Sequence, residues 1–183
     1  MANDFLLRKW RAIFHVNDIN KDNIITIEDA ELFTDRFATH HKFSAEQTTA
    51  AKEKFRYFWR ECFLKDQDKV TEEMFLDTLT KEYNADPVKF RANQQNATSV
   101  VTNIFDVNQD GCISEQELAV CMRCWGVEQN FDKKFIQSYP QRKPGFVHND
   151  DYTESFVEYM CNGDENVITK EKPVIVALNI VEI

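Results

Sequence analysis

The chain has 183 residues, enough for one compact domain or two small ones. It carries four glycines and four prolines, where average usage would give roughly 22 in all; so few turn residues exclude an all-β sandwich or barrel, and the glycines are too scattered for a dinucleotide or P-loop phosphate cradle. Acidic residues outnumber basic ones 31 to 22, for a net charge of −9, which argues against a nucleic-acid partner and suits cations.

Hydrophobic residues make up 43% of the chain and 15 of them are Phe, so a sizeable core is available. Asp4, Arg8, Lys9 and Arg11 break up the start of the chain, which reads as no signal segment, and Ala2 gives no myristoylation signal. No apolar run approaches the ~20 residues that span a bilayer. Five cysteines at irregular spacing do not form a disulfide framework, and a reduced cytoplasmic location is expected. His15, His40, His41 and His148 share no metal-ligand spacing.

Phe5, Leu6, Trp10, Ile13 and Phe14 lie on one helical stripe. After it, Asp18, Asn20 and Asp22 occupy positions 1, 3 and 5 of a 12-residue cation loop, which place hard oxygens on one side of an ion. The Ile24 carbonyl falls at position 7, apolar Ile25 at position 8 and Asp29 at position 12. Position 6 is Asn23 rather than glycine, and Asn tolerates the left-handed turn. Asp29 is one methylene shorter than the usual Glu, which lowers the coordination number and favours Mg²⁺ beside Ca²⁺.

Ser44 and Gln47 form a capping box for a helix carrying Phe55, Phe58, Trp59 and Phe63. If Val70 is set at position 8 of a second loop, Phe63, Lys65, Gln67 and Met74 fall on the ligand positions, and they cannot cage a cation. Asp86-Pro87 then starts a helix through Val100, Val101, Ile104 and Phe105. Asp106, Asn108 and Asp110 next take positions 1, 3 and 5, with Gly111 at the turn, the Cys112 carbonyl at 7, Ile113 at 8, Ser114 at 9 and Glu117 at 12. Ser114 and Glu117 also form a capping box for a helix through Leu118, Cys121, Met122 and Trp125, which Gly126 ends. Cys121 and Cys124 lie inside that helix and read as buried structural thiols.

With Val147 at position 8 of a fourth loop, Pro140, Arg142, Pro144 and Asp151 fall on the ligand positions and Gly145 on the turn; the turn persists without its ligands. The acidic run Asn162 to Asn166 reads as a loop. The apolar tail from Pro173 to Ile183 is expected to fold back on the helices. The expected fold is all-α, with about eight helices in four helix–loop–helix units. The N-terminal pair spans 1–84 and the C-terminal pair plus tail 85–183; the first and third loops keep their ligands, the second and fourth do not.

On these two loops, the ion-free second loop, the aromatic core and the tail, the chain resembles the invertebrate sarcoplasmic calcium-binding proteins and their calexcitin-like relatives. The resemblance implies four EF-hands in two pairs, short β-ribbons between paired loops, and a cytosolic Ca²⁺ buffer or neuronal sensor. Ile24–Thr26 should face Lys69–Thr71, and Cys112–Ser114 should face Phe146–His148. Four Met against 15 Phe favours a buffer with a closed core over a sensor with an adaptable target groove. The expected ligands are two divalent ions, with a protein target only for a sensor, in a monomer. Photoproteins and luciferin-binding proteins resemble the same fold and offer a third, ligand-binding reading. No nucleophile–base constellation suggests an enzyme.

Overall fold

The structure is a computed structural model that describes residues 1–126, 136–140 and 142–166. The tail expected to fold back, and most of the helix expected between Gly126 and the fourth loop, lie outside the described residues. Among the described residues there are seven α-helices: α1 (Asp4–Asn17), α2 (Ile27–His41), α3 (Ala45–Trp59), α4 (Glu72–Ala85), α5 (Pro87–Phe105), α6 (Glu115–Cys124) and α7 (Asn149–Cys161). A π-helical turn, Arg60–Leu64, prolongs α3. Four three-residue strands complete the fold: β1 (Ile24–Thr26), β2 (Lys69–Thr71), β3 (Cys112–Ser114) and β4 (Phe146–His148).

Each helix starts where a side chain can take up its free N–H groups. Asn3, Thr26, Ser44, Thr71, Asp86, Ser114 and His148 do this for α1 to α7 in turn. The Ser44 and Ser114 boxes and the Asp86-Pro87 start are as read from the sequence. Asn3, Thr26, Thr71 and His148 were not, because a capping side chain next to a weak amphipathic stripe carries little signal by itself. Gly126 ends α6 at φ +87°, with its N–H donating to the Arg123 carbonyl at 3.0 Å.

The strands pair antiparallel as expected, Ile25 opposite Val70 and Ile113 opposite Val147. These four position-8 side chains are all buried, so each ribbon ties two loops to the core. Both helix pairs feed a single hydrophobic core. Trp10 of α1 meets Tyr83 at 5.8 Å and Phe90 at 5.7 Å between ring centroids, and its Nε1 donates to the Met160 carbonyl of α7 at 2.9 Å. Phe33 of α2 packs on Phe105 and Trp125, and Arg36 Nη1 donates to the Cys124 carbonyl at 2.9 Å. The seam between the pairs is thus the tight turn at Asp86 between α4 and α5, with no linker. Cys121 and Cys124 are buried; burial pushes the Cys124 thiol up to about 12 and Cys121 well above its ordinary value, so both act as apolar packing.

Lys9 is buried beside this seam. Its Nζ donates to the Asn162 carbonyl at 2.5 Å and lies 4.6 Å from the Phe5 ring and 5.1 Å from the Tyr159 ring. Burial pulls its ammonium down to about 8, with Cys161 and Glu158 acting the other way. The unfolded lysine titrates near 10.4. Between about pH 8 and 10.5 the unfolded chain therefore holds this proton more tightly, and stability contributed by Lys9 rises with pH. Denaturant unfolding of wild type and Lys9→Met at pH 7.5 and 9.5 should show the wild type gaining on the variant at the higher pH; a constant difference would contradict the assignment.

Candidate metal centres

The two ligand-bearing loops share one hydrogen-bond network, residue for residue. In the first, Asp18 caps the end of α1 and its carboxylate accepts from Asp22 N (3.2 Å) and Asn23 N (3.0 Å). Asn20 Oδ1 accepts from Asp22 N at 3.0 Å, and Asp22 Oδ1 from Ile24 N at 2.9 Å. In the third loop Asp106 accepts from Asp110 N (3.1 Å) and Gly111 N (2.9 Å), Asn108 Oδ1 from Asp110 N (3.0 Å), and Asp110 Oδ1 from Cys112 N (3.0 Å). Asn23 sits at φ +68° where Gly111 sits at φ +83°, so asparagine makes the turn that glycine makes in the other loop.

Position 12 is built the same way in both. Asp29 Oδ1 accepts from Ile19 N and Asn20 N, at 2.9 and 3.2 Å, and its Oδ2 from Thr26 N at 2.8 Å. Glu117 Oε1 accepts from Val107 N and Asn108 N, at 2.9 and 3.4 Å, and its Oε2 from Ser114 N at 2.9 Å. Positions 9 and 12 are therefore the N-cap and third residue of the exiting helix, joined in a capping box that is complete in both loops. Asp29 is wholly buried, and burial raises its carboxyl above the ordinary value while the N–H donors of Thr26, Asn20 and Ile19 pull it back.

Among the described residues no three His, Cys, Asp or Glu side chains close on one point. In each loop the carboxylates at positions 1 and 12 accept from backbone N–H groups. The donor set still fits a hard divalent cation. Asp18, Asn20, Asp22, the Ile24 carbonyl and Asp29 offer only oxygens in one loop, and Asp106, Asn108, Asp110, the Cys112 carbonyl and Glu117 do so in the other. Each carboxylate oxygen has a second lone pair, so these side chains can accept from the backbone and still face a cation.

The two remaining loops carry their own cations instead. Lys65 takes position 3 of the second loop, beyond the π-helical turn, and pairs with Glu82. In the fourth loop Arg142 at position 3 reaches Asp151 at position 12, Nη2 to Oδ1, at 2.8 Å. Register alone puts Arg142 and Asp151 on ligand positions and does not signal that they pair. Asn149 was missed altogether. It lies outside the ligand positions of the fourth loop, yet its Nδ2 donates to Asp106 Oδ2 of the third at 2.9 Å. Nothing in a ligand-position count marks it.

Helix–loop–helix units paired through short ribbons, two of them with oxygen-only 12-residue loops, make up the fold of EF-hand proteins. The resemblance to sarcoplasmic calcium-binding proteins holds in sequence and in fold. A sarcoplasmic calcium-binding protein from Mizuhopecten yessoensis is 25% identical over 126 residues, which cover 68% of this chain and 71% of that protein. Ca-loaded apo coelenterazine-binding protein from Renilla muelleri has the same fold, with TM-score 0.78 and 19% identity over 96% of this chain and 97% of the other. The sarcoplasmic calcium-binding protein of amphioxus superposes with TM-score 0.66 and 16% identity over 96% of this chain and 98% of the other. No family model matches the chain. Among the described residues no helix is long and apolar enough to cross a membrane.

Proposed function

We propose that this protein is a cytosolic, monomeric Ca²⁺ buffer with two ion sites, one in each EF-hand pair (1–84 and 85–183), the first shared with Mg²⁺. The observation that carries this reading is the identical carboxylate-to-backbone network of the loops at 18–29 and 106–117. Each pairs through its ribbon with a loop that has a basic side chain at position 3. The ion-free partner thus braces the binding loop, and the sites, lying in different pairs, fill with little cooperativity. Buffering is favoured over sensing by the methionines. Met122 and Met160 are in the core and only Met1 and Met74 are exposed, so among the described residues the methionines form no exposed cluster.

Calorimetric titration with Ca²⁺, with and without Mg²⁺, tests the proposal. Two ions should bind with a Hill slope near one, and Mg²⁺ should weaken the first site more than the third. One ion, or a slope well above one, would overturn it. A rise in hydrophobic-dye fluorescence on adding Ca²⁺ would favour the sensor.

Asp29→Glu should raise Ca²⁺ affinity at the first site about tenfold and lessen its Mg²⁺ competition, since a longer carboxylate can give the ion both oxygens. The site can house it, because Glu117 makes the same three kinds of backbone contact in the third loop. Unchanged competition by Mg²⁺ in the same calorimetric titration would count against Asp29 as a ligand.

A further inference from the structure

With 106–117 read as an ion site, we infer that Asn149 of the ion-free fourth hand is a positioning residue for it, which fixes the carboxylate of Asp106 and raises the calcium affinity of the third loop. The two loops of the C-terminal pair exchange the residue that lies two places beyond each ribbon centre, Glu115 after Ile113 and Asn149 after Val147. Glu115 N donates to the Gly145 carbonyl at 3.1 Å, and Asn149 N to the Gly111 carbonyl at 3.0 Å. The side chains follow their backbones. Glu115 Oε1 lies 3.8 Å from where a Cβ on Gly145 would stand. Asn149 Nδ2 reaches Asp106 Oδ2 at 2.9 Å, and the same oxygen accepts from Gly111 N at 2.9 Å.

Asp106 Oδ2 thus engages one donor from each loop, which uses both of its lone pairs. Oδ1 accepts from Asp110 N alone, at 3.1 Å, and keeps a lone pair for a cation. Two donors on one oxygen stop the carboxylate from turning, so less order remains to be imposed when an ion binds. Asn149 Oδ1 is buried and finds no donor among the described residues. A bare buried acceptor costs stability. Turning the amide over would set that oxygen against Asp106, acceptor to acceptor, so the bond to Asp106 decides which way the side chain faces.

The first loop lacks this clamp. Among the described residues Asp18 Oδ2 accepts from Asn23 N alone. The residue in the place of Asn149, two beyond Val70, is Glu72, whose carboxylate has no donor to offer Asp18. Arg11 Nε at 2.6 Å and His15 Nε2 at 3.0 Å, both on α1, hold Glu72 instead. The ribbons of the two pairs are alike, so the difference lies in this one side chain. Groups that orient a metal ligand without touching the metal commonly carry roughly 10–100-fold in affinity.

The test is a chelator-buffered calcium titration of the full chain followed by amide NMR spectroscopy. Gly111 N–H reports the third loop and Asn23 N–H the first, because each donates to the position-1 carboxylate of its own loop. Asn149→Leu keeps the bulk of the side chain and removes the donor. It should weaken the third site about tenfold and leave the first unchanged; Asn149→Ala serves if that variant does not fold. Asn149→Gln restores an amide and should recover most of the loss, which a role in packing alone would not produce. A Gly111 signal that responds to the same free calcium in wild type and Asn149→Leu would overturn the inference and leave the calcium reading standing. So would equal weakening in the Leu and Gln variants, or a matching loss at Asn23. A wild-type Gly111 signal that calcium does not move would overturn both.

Discussion

Calcium should raise the melting temperature of this protein by roughly 8–16 °C for each occupied site, and Glu117→Gln should remove one site's share. An ion that binds the folded loops alone, at a free concentration a thousandfold above its dissociation constant, stabilises by about 4 kcal/mol. For a chain of this size each kcal/mol is worth about 2–4 °C. The variant has a second effect that must be measured first, in chelator. Glu117 accepts from Val107 N, Asn108 N and Ser114 N; an amide nitrogen in place of either oxygen would face a donor with a donor. The ion-free variant should therefore melt below the wild type by the equivalent of about 1 kcal/mol. What identifies Glu117 as a ligand is the further loss of calcium-induced gain, read by calorimetry in both conditions. If the full gain survives in Glu117→Gln, the third loop is not a site.

The same residues explain what the sequence made legible and what it did not. Asp18, Asn20, Asp22 and Asp106, Asn108, Asp110 were legible because alternate oxygen-bearing residues leading into a left-handed turn serve one purpose. The ribbon registers followed from the apolar position 8, since Ile25, Val70, Ile113 and Val147 can only be buried if they pair as they do. Gly145 was legible for the same reason, its φ of +79° surviving the loss of ligands around it. Contacts between loops were not legible. Asn149 reaching Asp106, and Arg142 closing onto Asp151, depend on how the fourth hand sits against the third, and no periodicity encodes that. Nor was an interior cavity of about 110 Å³ lined by Phe33, Phe55, Phe63 and Phe105 among others. Fifteen Phe suggested a filled core, and whether large rings interlock or leave space is decided by packing, not by their number.

Trp10→Ala should cost about 3–5 kcal/mol and lower the melting point by roughly 6–20 °C, in one cooperative transition. Trp10 is wholly buried and does more than fill space. Its ring meets Tyr83 at the end of α4 and Phe90 at the start of α5, the two sides of the turn that joins the EF-hand pairs. Its Nε1 also holds the Met160 carbonyl, so truncation leaves a buried acceptor bare. The neighbouring Lys9 adds a second tie from α1 across to Asn162. A residue so placed couples the pairs, because neither can open without exposing it. Differential scanning calorimetry of the wild type should accordingly show a single peak in chelator. In the variant the peak should move as a whole. Two separated peaks in wild type would mean that each pair melts on its own and that Trp10 belongs to one of them. A variant peak that splits would locate the coupling at this side chain, with Phe33 against Phe105 and Trp125 too weak to hold the pairs together.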